Sequence, residues 1–444
     1  MSTSPASVTG DQAPDELVVT HAVLEPEVST QRRLISGASL FVAGLVTIFG
    51  WGIGAKPTQA AFALSQSGAR FTIPDVRVPA QATAVVFGIV ICALGAWQAV
   101  RGFSRRQMRW VLAVAAVLFV VAFLCWACTG NKGTVIDVVG ILQQTLFNST
   151  PLILGAMAGI LCERTGVINV AIEGQMLSGA FAGALGASMA HNVGVGVVSA
   201  ILAGGLIGAL LAVFSIKFLV NQVVLGVVLN ALALGATGYG YDALMLNNPN
   251  NNVTFSLPQV KIPVLADIPV IGQPLFDNNL IVYAMYVLIV VIDIALFRTR
   301  WGLRTRAVGE HPKAADTVGI PVRGTRYLNV ILGGFVAGLA GATLTIAAGS
   351  QFIKNPTGMS SGKGFIALAA VIFGRWSPRG AVGAALLFGF TLELQTLVSV
   401  IGAPVKVPSA FLLALPYLVT IVAVAGLVGR TQAPAADGEP YVKG

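Results

Sequence analysis

The stretch ERTGVINVAIEG, residues 163–174, holds the polar residues whose types and spacing could do chemistry in an otherwise apolar chain. Asn169 and Glu173 are four residues apart, so on a helix they would share one face. A carboxylate at membrane depth is costly and by default faces a bundle interior or a water-filled path. We therefore expect Glu173 to face the bundle interior or a water-filled path, with Asn169 beside it at the start of the helix or within a break in it. The alternative is that Glu173 only stabilises the start of its helix.

A second polar pattern lies in the apolar stretch 221–242. Thr237 and Tyr241 follow Asn230 by seven and eleven residues, which places each of them within about 20° of Asn230 on a helix. Such a stripe either forms hydrogen bonds with neighbouring helices or lines a passage for a polar solute. The sequence leaves both interpretations open.

Glu393 is a third candidate, near the middle of the apolar segment 380–400, which contains no basic residue. Its partner must come from another helix, or the carboxylate must face water or be protonated. Asp293 lies near the end of a different apolar segment, before Arg298 and Arg300. Pairing or snorkelling explains it adequately.

The segments that must position these residues are those of a membrane protein. The chain is 55% hydrophobic and only 10% charged, whereas soluble domains carry roughly 25% charged residues. Each apolar run is near the ~20 residues that cross a bilayer, except for the short tenth run. We predict an all-α polytopic membrane protein with about 11–12 transmembrane helices. The apolar segments are about 34–54, 80–100, 110–129, 137–160, 172–190, 194–216, 222–245, 279–297, 327–348, 364–374, 380–400 and 408–428.

The charge distribution predicts the topology. The net charge of +9 does not indicate nucleic-acid binding, because basic residues cluster in short loops, as the positive-inside rule expects. The basic loops 101–109 and 298–326 should be cytoplasmic, and the Asn- and Pro-rich loop 246–278 should be outside. Both termini are then cytoplasmic. We predict that 1–33 is a disordered cytoplasmic tail and 430–444 a C-terminal cytoplasmic tail.

The second basic loop contains a short helix with clear ends. Pro312 suits the first helical position, and Gly319 suits the C-terminal cap. Between them, Ala314, Ala315 and Val318 would form a small apolar face. A short rigid helix on an intracellular loop is suited to docking in a groove of another protein. The alternative is a loop that contains one helical turn.

Sequence signatures of covalent chemistry are absent. No G-x-x-x-x-G-K-[ST] phosphate loop occurs, and the three histidines are scattered at 21, 191 and 311. Cys125 and Cys128 have the spacing of a redox pair, but they lie inside an apolar run, so we interpret them as small packing residues. We expect neither catalysis nor a bound cofactor or metal in this chain.

Several motifs resemble one family in the right order. The chain resembles the permease subunits of bacterial ABC importers of the branched-chain amino acid, ribose and nucleoside superfamily, and is most like the nucleoside (guanosine-type) branch. The resemblance covers about 137–444. The motifs are ERTGVINVAIEGQMLSGAFAGALGA (163–187), NQVVLGVVLNALALGATGY (221–239), AVGEHPKAADTVGI (307–320), GFIALAAVIFGRWSPRGAVGAALLFG (364–389) and the ending from 415 to 444.

The resemblance implies a domain organisation. Residues 137–429 would be the ABC permease core, and 34–136 an extra N-terminal transmembrane region of three helices with no assigned role. The segment 364–374 is short, and the sequence does not decide whether it spans the membrane or is re-entrant.

The resemblance also implies a function: translocation of nucleosides across the bacterial cytoplasmic membrane. The implied partners are a second homologous permease subunit, a cytoplasmic ABC ATPase with two fused nucleotide-binding domains, and an extracytoplasmic solute-binding lipoprotein that would dock on loop 246–278. ATP and Mg would be used by the partner ATPase. The candidate path residues are Asn169, Glu173, Asn230, Thr237, Tyr241 and Glu393. The candidate coupling loop comprises Glu310, Pro312, Ala314, Ala315 and Gly319.

Two alternatives remain open at this point. A sugar permease of the ribose type fits the same superfamily. A proton-coupled secondary transporter would use Glu173 or Glu393 as proton carriers, but it leaves the short cytoplasmic helix without a role.

Overall fold

The fold is described by a computed structural model. It covers residues 30–55, 58–66, 71–130, 135–401, 414 and 432–443. Most of the predicted N-terminal tail and, apart from Ala414, the twelfth apolar segment, 408–428, lie outside the described residues.

The described part of the chain is mainly helical. Nine of its helices, some extended by a π-helical turn, are long and apolar enough to cross a membrane: α1–α4, α6, α7, α9, α12 and α14. The helices are α1 (Thr30–Val46), α2 (Ala80–Val100), α3 (Arg105–Cys128), α4 (Val138–Glu163), α5 (Ile172–Ala190), α6 (Val193–Ala212), α7 (Gln222–Gly240), α8 (Gly272–Phe276), α9 (Leu280–Arg298), α10 (Arg300–Glu310), α11 (Pro312–Thr317), α12 (Val322–Ala342), α13 (Lys363–Phe373) and α14 (Pro378–Ile401). Four π-helical turns follow α1, α6, α7 and α12, at Thr47–Gly52, Val213–Lys217, Tyr241–Leu246 and Thr343–Ala347.

The tenth predicted segment is a half helix. Helix α13 has 11 residues, or about 17 Å at 1.5 Å per residue, against a hydrocarbon core of about 30 Å. It lies along α4, since a side chain at Gly155 would meet Ala367 and one at Gly159 would meet Val371. Because α13 cannot span the membrane alone, its N-terminus lies inside the bundle.

Helix α4 is the centre of the core. Leu152, Met157 and Ile160 on it are fully buried, and it packs against α12, α13 and α14. Helices α1 to α3 pack mainly on one another. Cys125 and Cys128 are buried in α3 as free thiols, which confirms their interpretation as packing residues.

Two small β-sheets were not predicted. Strands β1 (Gln59–Ala63), β2 (Val76–Pro79) and β3 (Val135–Asp137) form a sheet in the order β2-β1-β3. Strand β1 is antiparallel to β2 and parallel to β3. Strands β4 (Gln259–Lys261) and β5 (Asp277–Asn279) pair in antiparallel register. The hydropathy pattern misses these strands because each has only three to five residues.

The bundle has two distinct ends. Helix α4 has 26 residues and separates them by about 39 Å. The sheet end carries β1 to β5 and loop 246–278. The basic end carries loops 101–109 and 298–326, and there the Arg164 guanidinium lies 5.4 Å from the ring centroid of Phe297 at the end of α9. Both basic loops thus lie at one end, as their charges predicted.

Candidate functional site

The chain between α4 and α5 turns back into the bundle. Gly166 has a left-handed φ of +82°, which glycine adopts without the penalty that a Cβ imposes. The residues after Gly166 run back along α4. A Cβ placed at Gly159 of α4 would lie only 3.3 Å from Cδ1 of Ile172. Val167, Asn169 and Ala171 are fully buried on the way. Helix α5 therefore begins inside the helix bundle, and the irregular backbone before it is shielded by protein.

Glu173 joins two helix starts. Its Oε1 accepts hydrogen bonds from Ser360 Oγ (2.6 Å) and Gly362 N (2.7 Å), and its Oε2 accepts one from Gly364 N (2.6 Å). These donors surround the first turn of α13, whose N–H groups have no partner within the helix. Glu173 lies in the first turn of its own helix, as the alternative interpretation requires. Its carboxylate also caps α13 and fixes that half helix against α5.

Asn169 does not share a helical face with Glu173, because α5 begins only at Ile172. It lies in the irregular segment before α5, because the left-handed Gly166 delays the helix. Its Nδ2 donates to Gln175 Oε1 at 3.1 Å and to Cys162 Sγ at 3.4 Å. Asn169 therefore ties the irregular segment to α4 and α5.

Asn230 holds the same segment from the opposite side. Its Oδ1 accepts from Gly174 N at 2.7 Å, and its Nδ2 donates to Val170 O at 2.9 Å. Both bonds cross from α7 to the backbone around the start of α5. The hydrogen-bonding interpretation therefore describes this member of the polar stripe.

The other two members of the stripe have different surroundings. Thr237 Oγ1 donates to Ala233 O of its own helix at 2.7 Å, and the residue lines a cavity of about 190 Å³ together with Lys354. Tyr241 begins the π-helical turn, and its ring lies 6.1 Å from that of Phe352. The three residues of the stripe thus do not face one common space.

Glu393 has the partner from another helix that its position required. It is 8% exposed, and its Oε2 accepts a hydrogen bond from Asn148 Nδ2 of α4 at 3.2 Å. The carboxylate of Asp293 pairs with the Arg379 guanidinium at 2.9 Å. Both acids therefore have interhelical contacts that connect α14 to α4 and α9.

The short helix at the basic end forms as predicted. Helix α11 starts with Pro312 at its first position. It ends before Gly319, which has a φ of +82° and donates its N–H to Asp316 O at 2.9 Å. Its apolar residues divide between two faces. Ala315 is 3% exposed and packs inward, whereas Ala314 and Val318 are exposed, Val318 to 74%. Only the outward pair is available to a partner.

Glu310, a predicted coupling-loop residue, faces the chain's own C-terminal segment, since its Oε2 accepts a hydrogen bond from Ala435 N at 3.1 Å. Two other residues of this region were missed by the sequence analysis. Arg326 is 2% exposed near the start of α12. Leu303 in the first turn of α10 is 62% exposed. The sequence features that could have identified these two residues are an arginine at the edge of an apolar helix and a leucine between basic residues.

A polar cavity of about 680 Å³ opens at the sheet end. Ser256, three glutamines and two asparagines line it, together with Phe147 and several apolar or small residues. None of the described residues that line it carries a charge. The polar lining residues are Gln143, Gln144, Ser256, Gln259, Asn278 and Asn279.

The chain is similar to known permeases over most of its length. Residues 141–424 match a family described as "Branched-chain amino acid transport system / permease component". The guanosine ABC transporter permease protein NupQ of Bacillus subtilis is 39% identical over 321 residues, which cover 69% of this chain and 99% of NupQ. The nucleoside ABC transporter permease protein NupC of Lactococcus lactis subsp. cremoris is 35% identical, over 68% of this chain and 96% of NupC.

A third relative has a different named solute. The putative glucose ABC transporter permease protein TsgC13 of Haloferax volcanii is 34% identical, over 58% of this chain and 77% of its own length. No solved structure shows significant similarity to the chain. The multi-pass helical bundle and the family match agree, and the chain belongs to the family of permease components of branched-chain amino acid transport systems.

Proposed function

We propose that this chain is a permease subunit of an ABC importer that carries nucleosides across the bacterial cytoplasmic membrane. The observation that carries the proposal is the similarity to NupQ and NupC over nearly their entire lengths. Both relatives are named for guanosine or nucleoside transport. The N- and C-termini would both be cytoplasmic, with the basic end inside.

The chemistry of the polar cavity supports a neutral, hydrogen-bonding solute. Its volume of about 680 Å³ lies within the range of about 300–1,000 Å³ of small-molecule sites. Side-chain amides both donate and accept hydrogen bonds, as the edges of a nucleobase and a ribose require. The ring of Phe147 adds a surface on which a base can stack. We assign this cavity as the entry chamber for the solute.

Gln144 tests this assignment. It is exposed in the cavity, and replacing it with leucine removes one amide while keeping a similar volume. A hydrogen bond contributes about 0.5–1.5 kcal/mol, so we expect the maximal rate of nucleoside uptake to fall about two- to tenfold. The affinity of the solute-binding protein should not change, because that protein captures the solute first. The control is Leu142→Ala, two positions earlier on α4 and not part of the cavity lining, which should leave the rate unchanged. An unchanged rate in Gln144→Leu would contradict the assignment.

The outward face of α11 is the proposed contact for a cytoplasmic ATPase with two fused nucleotide-binding domains. This chain contains no phosphate-binding loop in its sequence, so the partner would bind ATP and Mg. Ala314 and Val318 present a small apolar surface at the basic end. Pro312 and Gly319 fix the ends of the helix, which makes it a rigid element for transmitting movement.

Val318→Arg tests the coupling surface. Placing a charge in an apolar contact should weaken ATPase binding by about tenfold or more, which is about 1.4 kcal/mol. ATP-driven uptake should fall in proportion. The measurement is co-purification of the ATPase together with uptake of labelled guanosine.

Val264→Arg is the matched control, because Val264 is also 74% exposed but lies in loop 246–278 at the sheet end. This variant should retain the ATPase. Equal loss of the ATPase in both variants would contradict the assignment of α11.

Loop 246–278 is the proposed docking surface for the solute-binding lipoprotein. The loop is held by pairing of β4 with β5 and by the ion pair Lys261–Asp267 at 2.8 Å. Val264, Ile268 and Ile271 are exposed on it. A structured loop with exposed apolar side chains beside the cavity is suited to receiving a solute carrier.

A second, homologous permease is the proposed neighbour in the membrane. The outward face of α7 exposes a row of aliphatic side chains, Val223, Val224, Val227 and Val228. Its inward face holds the irregular segment through Asn230. A partner that packs on the outward face of α7 would therefore be separated by α7 alone from the irregular segment between α4 and α5.

The candidate path residues then act mainly by shaping the path. Asn169, Glu173 and Asn230 hold the irregular segment and the start of α13, and Glu393 holds α14 on α4 through Asn148. Thr237 lines the smaller cavity. In this account no carboxylate carries a transported proton.

Sugar transport is the second candidate function, because TsgC13 is 34% identical to this chain. The amide-lined cavity would also accept a sugar. Competition separates the two: uptake of labelled guanosine should be blocked by excess unlabelled inosine but not by excess ribose or glucose. Competition by the sugars alone would support the second candidate.

A further inference from the structure

Residues 432–443 lie folded against the basic end, and three of their backbone N–H groups donate hydrogen bonds to it. Ala436 N donates to Gly309 O at 2.9 Å, and Gly438 N donates to Gly166 O at 3.3 Å. Ala435 N donates to Glu310 Oε2 at 3.1 Å. The segment is thus bonded both to the end of α10 and to the turn that follows α4.

Tyr441 anchors this segment in the protein. Its side chain is 6% exposed and packs in an apolar cluster with Val308, Ala315 and Val322. Ala315 belongs to α11, so the inward face of the candidate coupling helix rests on the tyrosine ring. Removal of the ring would leave a gap directly beneath α11.

Arg326 connects residues 432–443 to the turn that begins the irregular segment between α4 and α5. Its Nε donates to Thr165 O at 3.0 Å, and its Nη1 donates to Glu439 O at 2.9 Å. Because the guanidinium is planar and pre-organised, it fixes the two backbones relative to each other. The turn at Gly166 packs closely against residues 432–443, since a Cβ at Gly166 would lie 2.7 Å from Ala436 O.

Asp437 lies in the same junction. Burial raises the pKa of its carboxyl above the usual range of an aspartate, and the nearby Arg326 guanidinium only partly offsets this rise in pKa. Its Oδ1 is buried without a hydrogen-bond partner in the described structure. A carboxyl enclosed in this way indicates that the segment is packed into the protein.

We infer that residues 432–443 are a brace that positions α11 against the break between α4 and α5. The contacts place Tyr441 under α11 and Arg326 between the brace and the turn at Thr165. Movement of α11 by a motor protein would therefore reach the irregular segment through the brace. This inference rests on the proposed function, because it takes the ATPase to bind α11.

The coupling ratio tests the brace. In proteoliposomes that contain the full importer, Tyr441→Ala should raise the ATP hydrolysed per guanosine transported about fivefold, while the subunits still co-purify. Tyr441→Phe keeps the ring and should restore the normal ratio. Val442→Ala changes an exposed neighbour, 58% exposed, and should have no effect. A normal ratio in Tyr441→Ala would overturn the inference.

Hydrogen–deuterium exchange gives a second readout that needs no transport. The amides of residues 435, 436 and 438 should be protected in the wild-type complex, both without nucleotide and with ATP bound. Tyr441→Ala should lose this protection. The brace is expected to stay in place in both states. Free exchange in the wild type, or protection that disappears when ATP binds, would therefore overturn the inference. Absence of guanosine uptake by the wild-type importer would instead count against the proposed function.

Discussion

Replacing Glu173 with alanine is expected to abolish most transport and to destabilise the permease. The change leaves Ser360 Oγ and the N–H groups of Gly362 and Gly364 without their acceptor. An unsatisfied buried donor costs about 1–3 kcal/mol, so the buried donors of Ser360 and Gly364 together cost about 2 kcal/mol or more, and the part-buried donor of Gly362 adds to this. The measurement is the thermal unfolding of the purified complex together with guanosine uptake.

Glu173→Gln is the informative partner of this variant. Its amide oxygen can still accept from part of the donor set, so stability should be intermediate between wild type and Glu173→Ala. A role for Glu173 as a proton carrier or a direct solute ligand makes a different prediction. In that case Glu173→Gln would lose uptake completely while its unfolding temperature stayed at the wild-type value.

Replacing Gly338 with valine is the second change with a large expected effect. Helix α12 crosses α6 so closely that a Cβ at Gly338 would clash with Ala200 O and lie 3.0 Å from Ile201 Cα. Small residues permit this approach in membrane bundles. Overpacking costs about 1–3 kcal/mol when side chains can move. A backbone obstacle should cost at least the upper value, because it cannot move without separating the helices.

The control for this prediction is Gly383→Val on α14. A Cβ at Gly383 meets no atom within 4 Å, so the same substitution should be tolerated there. The amount of folded, membrane-inserted protein after detergent extraction measures both variants. Similar yields of the two variants would contradict the close crossing of α6 and α12.

Local sequence features predict the local parts of the fold. The apolar segment 80–100 coincides with α2, because in a bilayer a helix satisfies the backbone hydrogen bonds of such a run within the segment itself. Pro312 and Gly319 predicted α11 correctly, since both act through the backbone of their own turn. The length of segment 364–374 marked it as unusually short, but the sequence left open whether it spans the membrane or is re-entrant.

Long-range pairing could not be predicted in this way. The donors to Glu173 lie 187 to 191 residues away, and no periodicity links them to it. The position of Asn169 outside the helix depends on the conformation of Gly166. Likewise, the inward face of α11 is defined by Tyr441, which a helical pattern within 312–319 does not contain. These features depend on which elements pack together.

The most direct test of the account is guanosine uptake into proteoliposomes that contain this permease with its partner subunits. ATP is supplied on the side of the ATPase, the solute-binding protein is added on the other side, and a proton ionophore is present throughout. The account predicts accumulation of guanosine that requires ATP and persists with the ionophore. Accumulation that proceeds without ATP and stops when the ionophore is added would contradict it.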